Sequence, residues 1–189
     1  MENQIPPEKE HFWRETVKFT VIALAIVIPF RYLIAQPFIV SGESMVPTFA
    51  NGEYLIVDEL TYRFVHNPKR GDVVIFKYPY DRSKYFIKRI IGLPGETVTL
   101  HAGQVSVKTA SSTIVLRESY ISNITNDELT VELKDNKYFV MGDNRPESSD
   151  SRIWGPLDKQ FITGRAFARL LPINRLNIFP GRIEVEITP

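Results

Sequence analysis

Three stretches of this chain carry residues able to do chemistry. They are SGESMVPTF from Ser41 to Phe49, YFIKRIIGLPG from Tyr85 to Gly95, and GDNRPESSDSRIWG from Gly142 to Gly155. In the first, Gly42 permits a tight turn, Pro47 fixes the exit direction and Met45 supplies an apolar neighbour. Ser44 is thereby held on a rigid, partly apolar ledge, as a nucleophile or simply as a local hydrogen-bonding group. In the second, strand geometry sets Lys88 on one face with Phe86 and Ile90, and Arg89 on the other with Ile87 and Ile91. Two readings are open for Lys88. It guards an edge strand against aggregation, or it is desolvated, which lowers an ammonium pKa that starts near 10.4 and makes a general base. Arg89 cannot discharge in that way and needs a carboxylate partner.

The third stretch is dense in Asp, Asn, Arg and Ser between two glycines. As a calcium loop it fails, because from Asp143 the third position is Arg145 and the sixth is Ser148. A network of charge-assisted hydrogen bonds fits it, whether structural or functional. Other chemistries are excluded or unsupported. With no cysteine there is no thiolate catalysis and no disulfide. His11, His66 and His101 lie far apart and make no metal-ligand spacing. GLPGE lacks the Lys-Ser/Thr of a phosphate-binding loop, no lysine lies three residues after Ser44, and nothing near His66 supports a triad role.

The elements that must position these residues are of two kinds. From Val17 to Ala35 the chain is apolar all round for 19 residues, close to the roughly 20 that span hydrocarbon, with Lys18 and Arg31 near its ends. A cleaved leader would need a small-x-small site, which is missing at the right place; a retained anchor is expected. Lys9, Arg14 and Lys18 precede it and Arg31 alone follows before Arg63, so residues 1–16 are expected in the cytoplasm and the rest outside. Ser44 then emerges about ten residues beyond the span. Past residue 37, short apolar runs such as EYLIVDEL, GDVVIFKYP, ETVTL, QVSVK and KYFVMG alternate with turn signals. The pattern predicts a mainly β domain over 36–100 and 137–189, with a smaller, more polar β insertion over 101–136. The balance of 23 basic and 22 acidic residues, net charge +1, gives no reason to expect a nucleic-acid partner.

Taken together, the motifs resemble those of bacterial type I signal peptidases. SGESMVPT after an apolar segment, then FIKRIIGLPGE, then YFVMGDNRPESSDSRIWG stand in that family's order, supported by KRGDVVIF and ITGRAFARLLP. The resemblance implies a signal-peptidase-like fold of antiparallel β sheets with one N-terminal transmembrane helix and a small inserted β subdomain. It implies a nucleophile at Ser44, a general base at Lys88, and a lysine-orienting serine at Ser148. Arg89 would pair with Asp143 and Arg152 with Asp150, while the Ser44 N–H would hold the oxyanion. Some members carry a second oxyanion hydroxyl where this chain has Gly42. Val40, Met45, Phe86 and Ile87 are expected to line shallow pockets for small residues. The implied partners are signal-peptide-bearing preproteins and the lipid bilayer of a bacterial cytoplasmic membrane, with the catalytic domain outside and no cofactor. Self-cleaving repressors share a Ser/Lys dyad but are soluble and bind DNA, and a non-catalytic anchored module would be expected to have lost Ser44 or Lys88.

Overall fold

The computed structural model describes residues 7–29, 35–183 and 187–188. Helix α1 covers Pro7–Pro29, and Phe12, Trp13, Val17, Phe19, Val21, Ile22 and Leu24 along it are exposed. Among the described residues no helix is long and apolar enough to cross a membrane. The span expected over 17–35 runs into residues 30–34, which lie outside the described residues, and at Ala35 the chain is already in a strand.

The remainder is mainly antiparallel β structure. Strands β1 (Ala35–Ile39), β2 (Tyr54–Asp58), β3 (Val73–Tyr78) and β4 (Asp81–Gly92) come first, followed by β5 (Thr97–His101), β6 (Gln104–Lys108), β7 (Thr113–Leu116) and β8 (Leu129–Glu132). Then come β9 (Lys137–Met141), the short helix α2 (Ser151–Trp154), β10 (Leu157–Asp158), β11 (Ile162–Leu171), β12 (Asn177–Ile178) and β13 (Ile187–Thr188). One sheet has the order β1-β2-β11-β3-β4-β9-β10 with β12 added beside β11; the second runs β13-β7-β6-β5-β8.

Alternation explains the second sheet. Val98, Leu100, Val105, Val107, Ile114 and Leu116 turn inward onto Phe139 and Met141 of β9, while the intervening Thr, Ser and Lys side chains face outward. The first sheet surrounds two further cores. One, beside the serine turn, joins Val40, Met45, Phe49, Leu55, Val57, Val73 and Ile75. The other packs Val74, Phe76, Ile90, Tyr138, Val140 and Leu157.

β4 changes character along its length. Arg82 to Tyr85 are exposed, whereas Lys88 to Gly92 are buried. The strand pairs with β3 from Asp81 to Arg89, but with β9 only from Arg89 onward. The other backbone edge of residues 81–87 is therefore open among the described residues. β1 is the terminal strand of the same sheet, so two free edges border the serine turn.

Candidate active site

Lys88 faces Val74 across the β3–β4 ladder, just where the β9 pairing begins. Its Nζ lies 2.6 Å from Ser44 Oγ and donates to the Ile87 carbonyl at 2.9 Å. The residue is 4% exposed. Burial pushes the Lys88 ammonium down to about 8, against the pull of the Asp150 and Asp143 carboxylates, while Arg152 adds to the downward push. Of the two readings of this lysine, desolvation is the one the structure displays.

Ser44 is presented by a turn braced from behind. Phe49 N–H donates to the Met45 carbonyl at 2.8 Å, and Val46 N–H to the Glu43 carbonyl at 3.1 Å. Gly42 has a φ of +90°, a conformation that L side chains rarely adopt, and its N–H donates to Asn51 Oδ1 at 3.0 Å. The Ser44 carbonyl accepts from Asn144 N–H at 3.0 Å, and the Asn144 side-chain amide donates to the Glu43 carbonyl at 3.1 Å. The serine turn is thus stitched to the 142–155 loop.

Gly142 shows how tight that seam is. A Cβ built there would lie 2.4 Å from the Ser44 carbonyl oxygen and 2.3 Å from Ser148 Oγ. Gly142→Ala is therefore expected to displace the serine turn and lower kcat about 100-fold. Steady-state kinetics beside a thermal melt check this; kcat within threefold of wild type would show that the seam can give.

The two expected ion pairs are both made. Arg89 binds Asp143 bidentately, Nε to Oδ1 at 2.8 Å and Nη2 to Oδ2 at 2.6 Å, with side chains 0% and 1% exposed. Arg89 Nη1 also donates to the carbonyls of Gly71 and Gly181, and Thr48 Oγ1 donates to Asp143 Oδ2 at 2.6 Å. Arg152 donates from Nε to Asp150 Oδ1 at 2.8 Å and from Nη2 to Oδ2 at 2.9 Å. Ser148 is drawn into this pair. Its hydroxyl donates to Asp150 Oδ2 at 2.7 Å rather than bonding Lys88, whose partners are Ser44 and Ile87.

A cleft of about 450 Å³ opens beside Ser44 and Lys88. Val40, Phe86 and Ile87 line it as expected, together with Phe38, Leu55 and Ile75. Met45 does not. It is 1% exposed and packs in the core with Phe49, because the single turn from Met45 to Phe49 sets positions i and i+4 on one inward face. Thr48 and Gly142 were missed by sequence reasoning. Thr48 sits inside the serine motif, but its acceptor lies 95 residues away, and no local pattern announces such a partner.

A model of the family described as signal peptidase, peptidase S26, matches residues 13–171. A probable signal peptidase I-1 of Synechocystis sp. is 36% identical over 183 residues, covering 93% of this chain and 91% of that protein. A signal peptidase I of Bacillus licheniformis is also 36% identical, covering 86% of this chain and 90% of the relative. A crystal structure of a signal peptidase I from Enterococcus faecalis aligns with 30% identity and a TM-score of 0.45, over 52% of this chain and 95% of that one. The matched span takes in the serine turn, the lysine strand and the whole 142–155 loop, and by it this chain belongs to the signal peptidase family, peptidase S26.

Proposed function

We infer that this chain is a membrane-anchored serine endopeptidase that removes N-terminal signal peptides from exported preproteins, cutting after small residues of the Ala-x-Ala type. The observation that carries this reading is the 2.6 Å contact between Ser44 Oγ and the buried amine of Lys88. A lysine near 8 holds a usable neutral fraction at physiological pH. Neutral Lys88 accepts the Ser44 proton as Oγ bonds to the scissile carbonyl carbon. It then protonates the leaving amine as the peptide bond breaks. In the second half it takes a proton from water as the water oxygen bonds to the acyl carbon. It then gives that proton to Ser44 Oγ as the ester C–O bond breaks, which releases the new carboxyl terminus and restores the hydroxyl. The oxyanion is assigned to the Ser44 N–H, for which no acceptor occurs among the described residues. Gly42 offers no hydroxyl, and its N–H is engaged by Asn51.

An extended substrate can pair its backbone with the free edges of β1 and of residues 81–87, setting alternate side chains into the cleft. Its apolar lining suits small residues. The apolar segment of residues 17–35 is assigned as the anchor, with the catalytic domain on the outer face of a bacterial cytoplasmic membrane. Tethering would hold Ser44 at the depth where cleavage sites leave the bilayer and raise its effective concentration there.

The test is cleavage of a preprotein in liposomes, with the mature N-terminus read by mass spectrometry. The product is expected to begin directly after an Ala-x-Ala sequence. Its kcat/KM should rise about tenfold per pH unit and level off near pH 8, as Lys88 loses its proton. Cleavage elsewhere, or a flat profile between about pH 6 and 9, would move the reading to another base.

A further inference from the structure

The connection between β7 and β8, residues 117–128, has no regular secondary structure and belongs by sequence to the second sheet. Its side chains nevertheless reach the active-site loop of the first. Glu118 accepts from both terminal nitrogens of Arg145, Nη1 at 2.9 Å, in a pair whose side chains are 6% and 3% exposed. Tyr120 donates its hydroxyl to Glu118 at 2.7 Å, and its ring centroid lies 4.1 Å from the Arg89 guanidinium carbon. Asp127 accepts from Arg152 Nη1 at 2.8 Å, and Thr125 Oγ1 accepts from the same nitrogen at 2.9 Å.

These contacts fall on the three arginines that organise the site. Arg145 turns its Nε to the carbonyl of Gly142, the residue wedged against Ser44 and Ser148. Arg152 spans the 142–155 loop, donating to Asp150 and to the Arg145 carbonyl. Asp150 in turn holds the Gly142 N–H and the Ser148 hydroxyl. Glu118 therefore reaches Gly142 through Arg145, and Asp127 reaches it through Arg152 and Asp150, while Gly142 itself lies against the Ser44 carbonyl.

Neither carboxylate touches the cleft beside Ser44. We propose that Glu118 and Asp127 are positioning residues for the reaction at Ser44, acting as a strap from the second sheet that fixes the loop behind the nucleophile. The proposal rests on the peptidase reading given above. It also assigns the second sheet a part in catalysis that its distance from the cleft conceals.

Asp127 is the residue on which to test it. Glu118 leaves Arg145 buried and unpaired when neutralised, so Glu118→Gln risks the fold. Asp127 has a side chain 35% exposed, and without it Arg152 keeps both bonds to Asp150. Asp127→Asn is expected to lower kcat for preprotein cleavage about tenfold with KM within twofold. The melting temperature should stay within about 3 °C, and Asp127→Glu should restore most of the lost kcat. Acylation of Ser44 by an activated ester, followed by intact mass, should slow by a similar factor, a readout that needs no preprotein. Unchanged kcat and acylation in Asp127→Asn would overturn the strap and leave the peptidase reading standing. So would a loss that tracks melting temperature, or one that appears in KM alone. A wild-type chain that neither cleaves preprotein nor is acylated at Ser44 would remove both.

Discussion

Lys88→Met should abolish preprotein cleavage while making the folded protein harder to unfold. The side chain keeps its length and apolar stem but can no longer exchange the Ser44 proton, so kcat/KM is expected to fall on the order of 10⁴-fold or more. Ser44→Ala should give a loss of the same order, and the double variant should be no worse, because the two groups act as one unit. Stability moves the other way for the lysine. Its folded-state value near 8 lies below the ordinary 10.5. Below pH 8 the group is protonated whether folded or not, and the folded state carries the full desolvation cost, roughly 3 kcal/mol. That cost shrinks as pH rises from 8 to 10.5 and is gone above it. Lys88→Met should therefore melt about 5 °C higher than wild type at pH 7, and the difference should narrow at pH 10. Turnover above about 1% of wild type in either single variant would sink the dyad.

Asp143→Ala is expected to produce the largest stability loss in the domain. It strands the guanidinium of Arg89, which is 0% exposed and otherwise reaches the carbonyls of Gly71 and Gly181 and the Tyr120 ring, none of which carries a negative charge. Removing one partner of a buried pair costs about 3–5 kcal/mol, against a total stability of about 5–15 kcal/mol for a domain. It also frees Thr48, so activity should fall with stability. Urea unfolding should show a lower midpoint at unchanged slope. Replacing both partners, Arg89→Met with Asp143→Leu, should recover at least half of the loss, since the penalty lies in the orphaned charge. A cost below about 1 kcal/mol for Asp143→Ala would show that water reaches the pair.

Much of the site was legible because chemistry imposes local rules. A cation amid apolar neighbours at 88 left two readings open, and the residue is buried; a second cation at 89 on the opposite face required a carboxylate, and Asp143 supplies it. Strands with inward valines and outward threonines, such as β5 and β6, were equally plain. β1 was hidden because AQPFI continues the apolar run that precedes it. β11, ITGRAFARLL, mixes glycine, alanine and two arginines and has no clean alternation. Its charges make sense only across strands, with Arg165 on Asp58 and Arg169 on Glu53. Ser148 and Met45 were misplaced for the same reason. A motif position names a residue type, whereas the partner, Asp150 for one and Phe49 for the other, is set by how the turn closes.

The Gly181 carbonyl beside Arg89 carries a consequence for biogenesis. A ribosome delivers residues in order, and domains generally fold as units once complete. Ser44, Gly71, Lys88 and Asp143 all emerge long before residue 181, yet the arginine next to the lysine gains its second carbonyl partner only when that residue arrives. A nascent chain halted short of it would keep the Asp143 pair and the Gly71 bond but lack the fourth hydrogen bond to that guanidinium. The last hydrogen bond of the guanidinium beside Lys88 is thus supplied only when the domain is nearly whole.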